Sequence, residues 1–294
     1  MKRLSLILAL LLCFCLCPAA RAEEETPSPT PEVFTSGDYT YILLEDGTAE
    51  ITKYSGKESD LVIPSVLDGV PVMRIGDSAF SMRFSLTSVI IPNGITTIGD
   101  HAFYLCTHLT SVTISDSVTT VCDGAFSGCK SLTGVTVPDS VTSMGINPFS
   151  YCEKLTSLQV SPNHPVFASI DNVLFDMVAS KLICYPKGKI EDSYAIPQGI
   201  QVIGDHAFSY CDRLTSITIS DSVTTIGESA FSNCGSLISV IIPDGVTTID
   251  HSAFYRCPDL TVTVGRDSYA AQYCQDNGIP FVYSESLDGL NPGV

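Results

Sequence analysis

Hydrophobic positions along this chain recur with a long, fixed period. Phenylalanine stands at Phe80, Phe103, Phe126, Phe149, Phe208, Phe231 and Phe254. Leucine follows six residues later at Leu86, Leu109, Leu132, Leu155, Leu214, Leu237 and Leu260. The step is 23 residues, except between Phe149 and Phe208, where it is 59. Residues 98–120, IGDHAFYLCTHLTSVTISDSVTT, and 203–225, IGDHAFSYCDRLTSITISDSVTT, are near copies. Self-similarity of this kind sets architecture before local propensity is consulted.

Inside one period, Val112 and Ile114 alternate with Ser111 and Thr113. That is the period-two pattern of a strand with one buried face. Ser115-Asp116-Ser117 carries turn chemistry. Residues 118–121 give a second short extended piece, and the Ala-Phe segment reads as a compact turn or short helical segment returning to the next strand. A lone coil of this length cannot bury its apolar face, whereas stacked neighbours can. The expected fold is therefore a β-rich solenoid of 23-residue coils. At about 4.8 Å per stacked strand, roughly eight or nine coils make a rod on the order of 40 Å long.

Three regions depart from the frame. Two alternating runs flank Asp46-Gly47 and predict a β-hairpin in an N-terminal cap over 38–74. Residues 168–202 predict a second hairpin, carried by an irregular coil inside one domain, between repeats at 75–167 and 203–264. Residues 266–278 predict a helix, capped at Asp267 or Ser268 and stopped at Asn277-Gly278, before a last short strand. Residues 265–283 would close the open end of the solenoid, leaving 284–294 as a tail. At the other end, Lys2 and Arg3 precede an apolar run from Leu4 to Leu16, and Ala20-Arg21-Ala22 supplies small residues for cleavage. This predicts a secretory signal peptide over 1–22. The run is about 13 residues, short of the roughly 20 that a membrane helix needs. Residues 23–37, rich in Pro, Ser, Thr and Glu, read as a disordered linker.

Composition narrows function. The 294 residues carry 15 Lys plus Arg against 32 Asp plus Glu, a net charge of −17. Losing Lys2, Arg3 and Arg21 with the leader makes the mature chain more acidic still. Phosphate contact needs Lys and Arg, so nucleic acid is a poor partner.

The repeated Gly99-x-x-Ala102-Phe103-x-x-Cys106-x-x-Leu109, the following LxxVxI strand and the trailing Ile242-Pro243-x-x-Val246-Thr247-x-Ile249 carry a resemblance. They look like the BspA-like leucine-rich repeat family of secreted bacterial proteins, over about residues 39–283. The resemblance implies a right-handed leucine-rich solenoid, secreted or cell-surface placement, adhesion to protein partners and no enzymatic chemistry. No LPxTG sorting signal accompanies it.

The candidate chemistry sits on repeat positions. Three of the 12 cysteines lie in the leader, and six of the other nine share one position: Cys106, Cys129, Cys152, Cys211, Cys234 and Cys257. A column of buried thiols is the leading reading, because free Cys packs as a small hydrophobe. Disulfides and a metal site are the alternatives, disfavoured by the odd number and by the absence of CxxC after the leader. The five histidines read as surface polar residues. Asp77, Asp100, Asp123 and Asp205, and Asp116, Asp139, Asp221 and Asp244, read as turn residues bonding their own backbone, with calcium the alternative. No cofactor or resident metal is expected.

Two groups are candidates for partner contact. The outward strand row Thr113, Thr136, Gln159 and Thr218 forms a flat uncharged face. Tyr104, Tyr151, Tyr210 and Tyr255 follow the repeat Phe by one or two residues. Tyrosine offers large amphipathic area at low entropic cost. These readings lead to a secreted recognition or adhesion protein that binds a protein or glycan, host-derived ones included. A structural spacer and a hydrolase using residues 168–202 are the alternatives.

Overall fold

The computed structural model describes residues 31–284. The leader, the linker up to residue 30 and residues 285–294 lie outside the described residues. The coils stack through in-register parallel pairing at the 23-residue step. Ser88–Ile91 lies on Ser111–Ile114, and Thr97–Ile98 lies on Thr120–Val121, which lies on Ser143–Met144. The Ala-Phe segment is a turn rather than a helix, and it forms a third ladder. Here the earlier coil donates: Phe80 N–H to Ala102 O at 2.8 Å, Phe103 to Ala125 at 2.7 Å, and Phe126 to Pro148 at 2.8 Å. The turn holds two residues in the left-handed region in five of the coils, His101 (φ 54) and Leu105 (φ 55) among them, and one in the coils of Tyr151 and Arg256. For non-glycine residues this is strained, by of order 1 kcal/mol or more each. The N–H groups of His101 and Leu105 donate to Asp123 and Ser127 of the next coil, which offsets that strain.

The repeat phenylalanines stack face to face in a central column. Neighbouring centroids are 5.1 Å apart for Phe80–Phe103, 5.2 Å for Phe103–Phe126 and 5.8 Å for Phe126–Phe149. Tyrosines extend it where the phenylalanine frame ends: Tyr54 under Phe80, Tyr185 under Phe208 and Tyr273 over Phe254. The solenoid accordingly has about ten turns, against the eight or nine expected, because Tyr replaces Phe in the irregular coils.

The hairpin at Asp46-Gly47 forms as expected, from Tyr39–Leu43 and Ala49–Tyr54. Its partner Val33–Ser36, read from composition as the end of the linker, is an ordered strand. It pairs antiparallel with Tyr39–Leu43, and its Phe34 ring stacks 5.4 Å from Tyr41. Order here comes from a partner strand, which local composition does not register. The inserted segment is a three-stranded antiparallel meander: Phe167–Ile170, Val173–Asp176 and Lys181–Cys184. It separates two apolar cores. Leu174, Ile183 and Cys184 join the first, and Val173, Phe175, Leu182 and Tyr185 join the second.

Val112 and Ile114, expected as a buried strand face, are half-buried. The long-strand ladder lapses between Ser111–Ile114 and Gly134–Val137, so the next strand covers them incompletely. The recurrent aspartates also act differently from expectation. Asp77, Asp100, Asp123 and Asp205 accept the N–H of Asp100, Asp123, Ile146 and Glu228, each in the next coil, at 2.7–3.0 Å. They tie coils together instead of closing their own turns. Glycine follows at 99, 145 and 227, where a Cβ would collide with that carboxylate.

All nine described cysteines are free. In the column each Sγ donates to the Phe or Tyr carbonyl at the aromatic position one coil back, as Cys106 does to Phe80 O at 3.1 Å and Cys234 to Phe208 O at 3.0 Å. Burial pushes the Cys106 and Cys152 thiols up to about 12. Only the thiolate is nucleophilic, so these thiols are inert at neutral pH. Cys257 is partly exposed, and the neighbouring Cys234 sulfur pulls it down. Iodoacetamide at pH 8 is expected to alkylate Cys257 first and to leave Cys106, Cys129 and Cys152 unmodified until the chain is denatured. Peptide mass mapping reads this, and fast native labelling of Cys129 would contradict it.

Candidate functional site

The turn edge of the solenoid carries a groove of about 1000 Å³. Its floor is made by one unusual coil. Where other coils place His101 or His206, this coil has Gly124, and where others place Leu105, Tyr151 or Tyr210 it has Gly128. Both glycines are buried and left-handed (φ 55 and 75), and the side chains of His101 and Leu105 lean over them. Ser127 and Asn147 complete the floor, at 4% and 5% exposure. Ser150 Oγ donates to Ser127 Oγ at 2.8 Å.

The far wall is built by the insertion. In the irregular coil the strand Lys181–Cys184 runs straight on towards Tyr185 and no residue after Leu182 in this stretch is left-handed, so the usual left-handed turn is missing there. The turns on either side close over the gap. Asn147 Nδ2 donates to His206 O at 2.8 Å. The rings of Tyr151 and Tyr210, 59 residues apart, meet with centroids 4.4 Å apart and planes at 44°. Lys187 lies 5.2 Å from the Tyr210 centroid and pairs with Asp212 at 3.2 Å. Burial, and then the adjoining Tyr210, push the Tyr151 hydroxyl up to about 12. Across the groove, Lys130 pairs with Glu153 at 2.8 Å, and that bond holds the Glu153 carboxyl below its ordinary range.

Of the tyrosines singled out in the sequence, Tyr104, Tyr151 and Tyr210 line this groove. Tyr255 does not. It is exposed near the other end, with the Arg256 guanidinium 5.2 Å from its ring. Thr113, Thr136, Gln159 and Thr218 are exposed on the long strands as expected. Thr136 and Gln159 border a shallower depression of about 520 Å³ with Asp116 and Asp139. Gln159 is committed internally, since its Nε2 donates to Ser157 Oγ at 2.7 Å and Asn172 Oδ1 at 2.6 Å. Sequence reasoning missed Gly124, Gly128, Asn147 and Lys187. The two glycines were visible as departures of one coil from its neighbours. Among the described residues, no three His, Cys, Asp or Glu side chains converge as a metal site would require.

Comparison with known proteins agrees with this architecture. Residues 73–192 and 184–267 match the BspA type leucine rich repeat region, in six copies. A leucine rich cell surface protein from Faecalibacterium prausnitzii is 27% identical, with a TM-score of 0.54 over 88% of this chain and 96% of that one. The pneumococcal vaccine antigen PcpA shares the fold at 19% identity and a TM-score of 0.61, over 81% and 82% of the two chains. A leucine-rich repeat protein from Eubacterium ventriosum does so at 23% identity and 0.50, over 87% and 79%. No curated protein matches this chain. The six matched copies span most of the stacked coils, and the chain belongs to the BspA-type leucine-rich repeat family.

Proposed function

We propose that this chain is a secreted or cell-surface recognition protein that performs no catalysis and engages its partner through the tyrosine-lined groove. The observation that carries the reading is the meeting of Tyr151 and Tyr210 beside a floor that carries Gly124 and Gly128. A solenoid needs neither feature for stacking, since its other coils fill both glycine positions with side chains. Tyrosine rings on a rigid scaffold bind at small entropic cost, because few torsions are frozen on contact. The surface placement is supported by the signal-like leader and by the cell-surface description of the Faecalibacterium protein.

The test is a pull-down and glycan screen with the wild-type chain and with Tyr151→Ser combined with Tyr210→Ser. The folded double variant is expected to lose the captured partner. Undiminished capture would sink the reading.

A further inference from the structure

We infer that the groove takes an uncharged oligosaccharide whose pyranose rings lie on Tyr151, Tyr210 and Tyr104; this rests on the proposal that the groove is the recognition site. The backbone speaks first. Peptides recognised as an added strand need a free row of N–H and C=O groups. Along this groove the N–H groups of His101, Leu105, Gly124 and Gly128 are spent on Asp123, Ser127, Ile146 and Ser150, and of the matching positions only Asn147 and Tyr151, beside the gap, lack a backbone acceptor. Recognition therefore falls mainly to side chains.

Charge speaks next. Lys130 is paired with Glu153 and Lys187 with Asp212, so each lysine in the groove is already satisfied by a carboxylate. An anionic ligand would compete with those carboxylates for the lysines, whereas a neutral one leaves the pairs undisturbed. The rings suit a sugar. The C–H bonds on one face of a pyranose carry partial positive charge, and the face of an aromatic ring is negative. Tyr151 is 41% exposed and inclined at 44° to Tyr210, so the two rings offer surfaces at an angle to one another.

Asn147 lines the groove at 5% exposure, but its Nδ2 is committed to His206 O and its Oδ1 is closed to solvent, so it shapes the floor without anchoring a ligand. The volume, about 1000 Å³, is at the top of the range of small-molecule sites, about 300–1,000 Å³, and gives room for several rings.

The experiment is a binding array with the mature full-length chain. The probes are neutral oligomers of glucose, galactose, mannose, xylose and N-acetylhexosamines, sialylated and sulfated glycans, and enzymatically deglycosylated proteins. At least one neutral oligomer is expected to bind. Tyr151→Ala with Tyr210→Ala should weaken it about tenfold or more, and Tyr151→Phe with Tyr210→Phe should hold within about threefold, because stacking survives in phenylalanine. Circular dichroism confirms that both variants are folded. Binding of charged glycans only, or of no glycan, overturns the inference. A deglycosylated protein captured by wild type and lost by the alanine variant overturns the sugar but upholds the groove. A neutral oligomer held equally by wild type and the alanine variant overturns both.

Discussion

Phe126→Ala is expected to cost about 3–5 kcal/mol of folding stability, the usual loss when a fully buried aromatic is truncated in a core that cannot collapse. Phe126 has no exposed surface and is stacked between Phe103 and Phe149, 5.2 and 5.8 Å away. The cavity stays open because the backbones around it are pinned. Phe103 N–H is bonded to Ala125 O, Phe126 N–H to Pro148 O and Cys129 N–H to Phe126 O. Coils are stable mainly through their neighbours, so damage at Phe126 spreads to the coils at 98–120 and 144–166. Gly124, Ser127 and Gly128 flank Phe126 in the chain and form the groove floor, so partner binding should fall with stability. Urea unfolding followed by circular dichroism gives the number. A loss below about 1 kcal/mol would mean that the aromatic column is not what holds the coils together.

The parts of this molecule that repeat are legible in the amino-acid sequence alone. Phe103, Leu109 and Cys106 announce their burial because the same residue types recur every 23 positions. Ser268 and Gly278 announce the helix ends because capping is local chemistry, and the fold places them so, with Ser268 Oγ accepting Ala271 N–H at 3.1 Å and Gly278 at φ 66. Relations between coils are not legible in that way. The Asp100 carboxylate looks like any turn residue until its acceptor role toward Asp123 N–H is seen. Tyr151 and Tyr210 stand out by residue type, but their contact depends on a missing turn in the inserted coil. That absence follows from the strand Lys181–Cys184 continuing where other coils turn left-handed. The groove is half-visible in the sequence: its tyrosines stand out as large side chains, while its glycines stand out only against the neighbouring coils.

Ending the chain at Val264 is expected to open the C-terminal end of the solenoid and make it associate. The helix Tyr269–Asn277 buries Ala270, Ala271, Tyr273 and Cys274 against the last coil. Tyr273 packs 6.3 Å from Phe254, and its hydroxyl donates to Asp250 O at 3.1 Å. Phe281–Tyr283 covers the edge of Thr261–Val264 by parallel pairing. Without these elements Phe254, Val262 and Val264 meet water. At about 1.5–3 kcal/mol for each large apolar side chain, the loss reaches about 5 kcal/mol, comparable with the whole margin of a typical domain. That corresponds to a fall in melting temperature of roughly 10–20 °C for a domain of this size. The uncovered Thr261–Val264 edge also becomes an unpaired row of N–H and C=O groups, the kind of surface that recruits another strand. Light scattering coupled to size exclusion should therefore find mass rising with concentration in the truncated chain and not in the intact one. A truncated chain that stayed monomeric and melted within about 3 °C of wild type would show that the last coil is stable without its cover. The helix would then be an appendage rather than a cap.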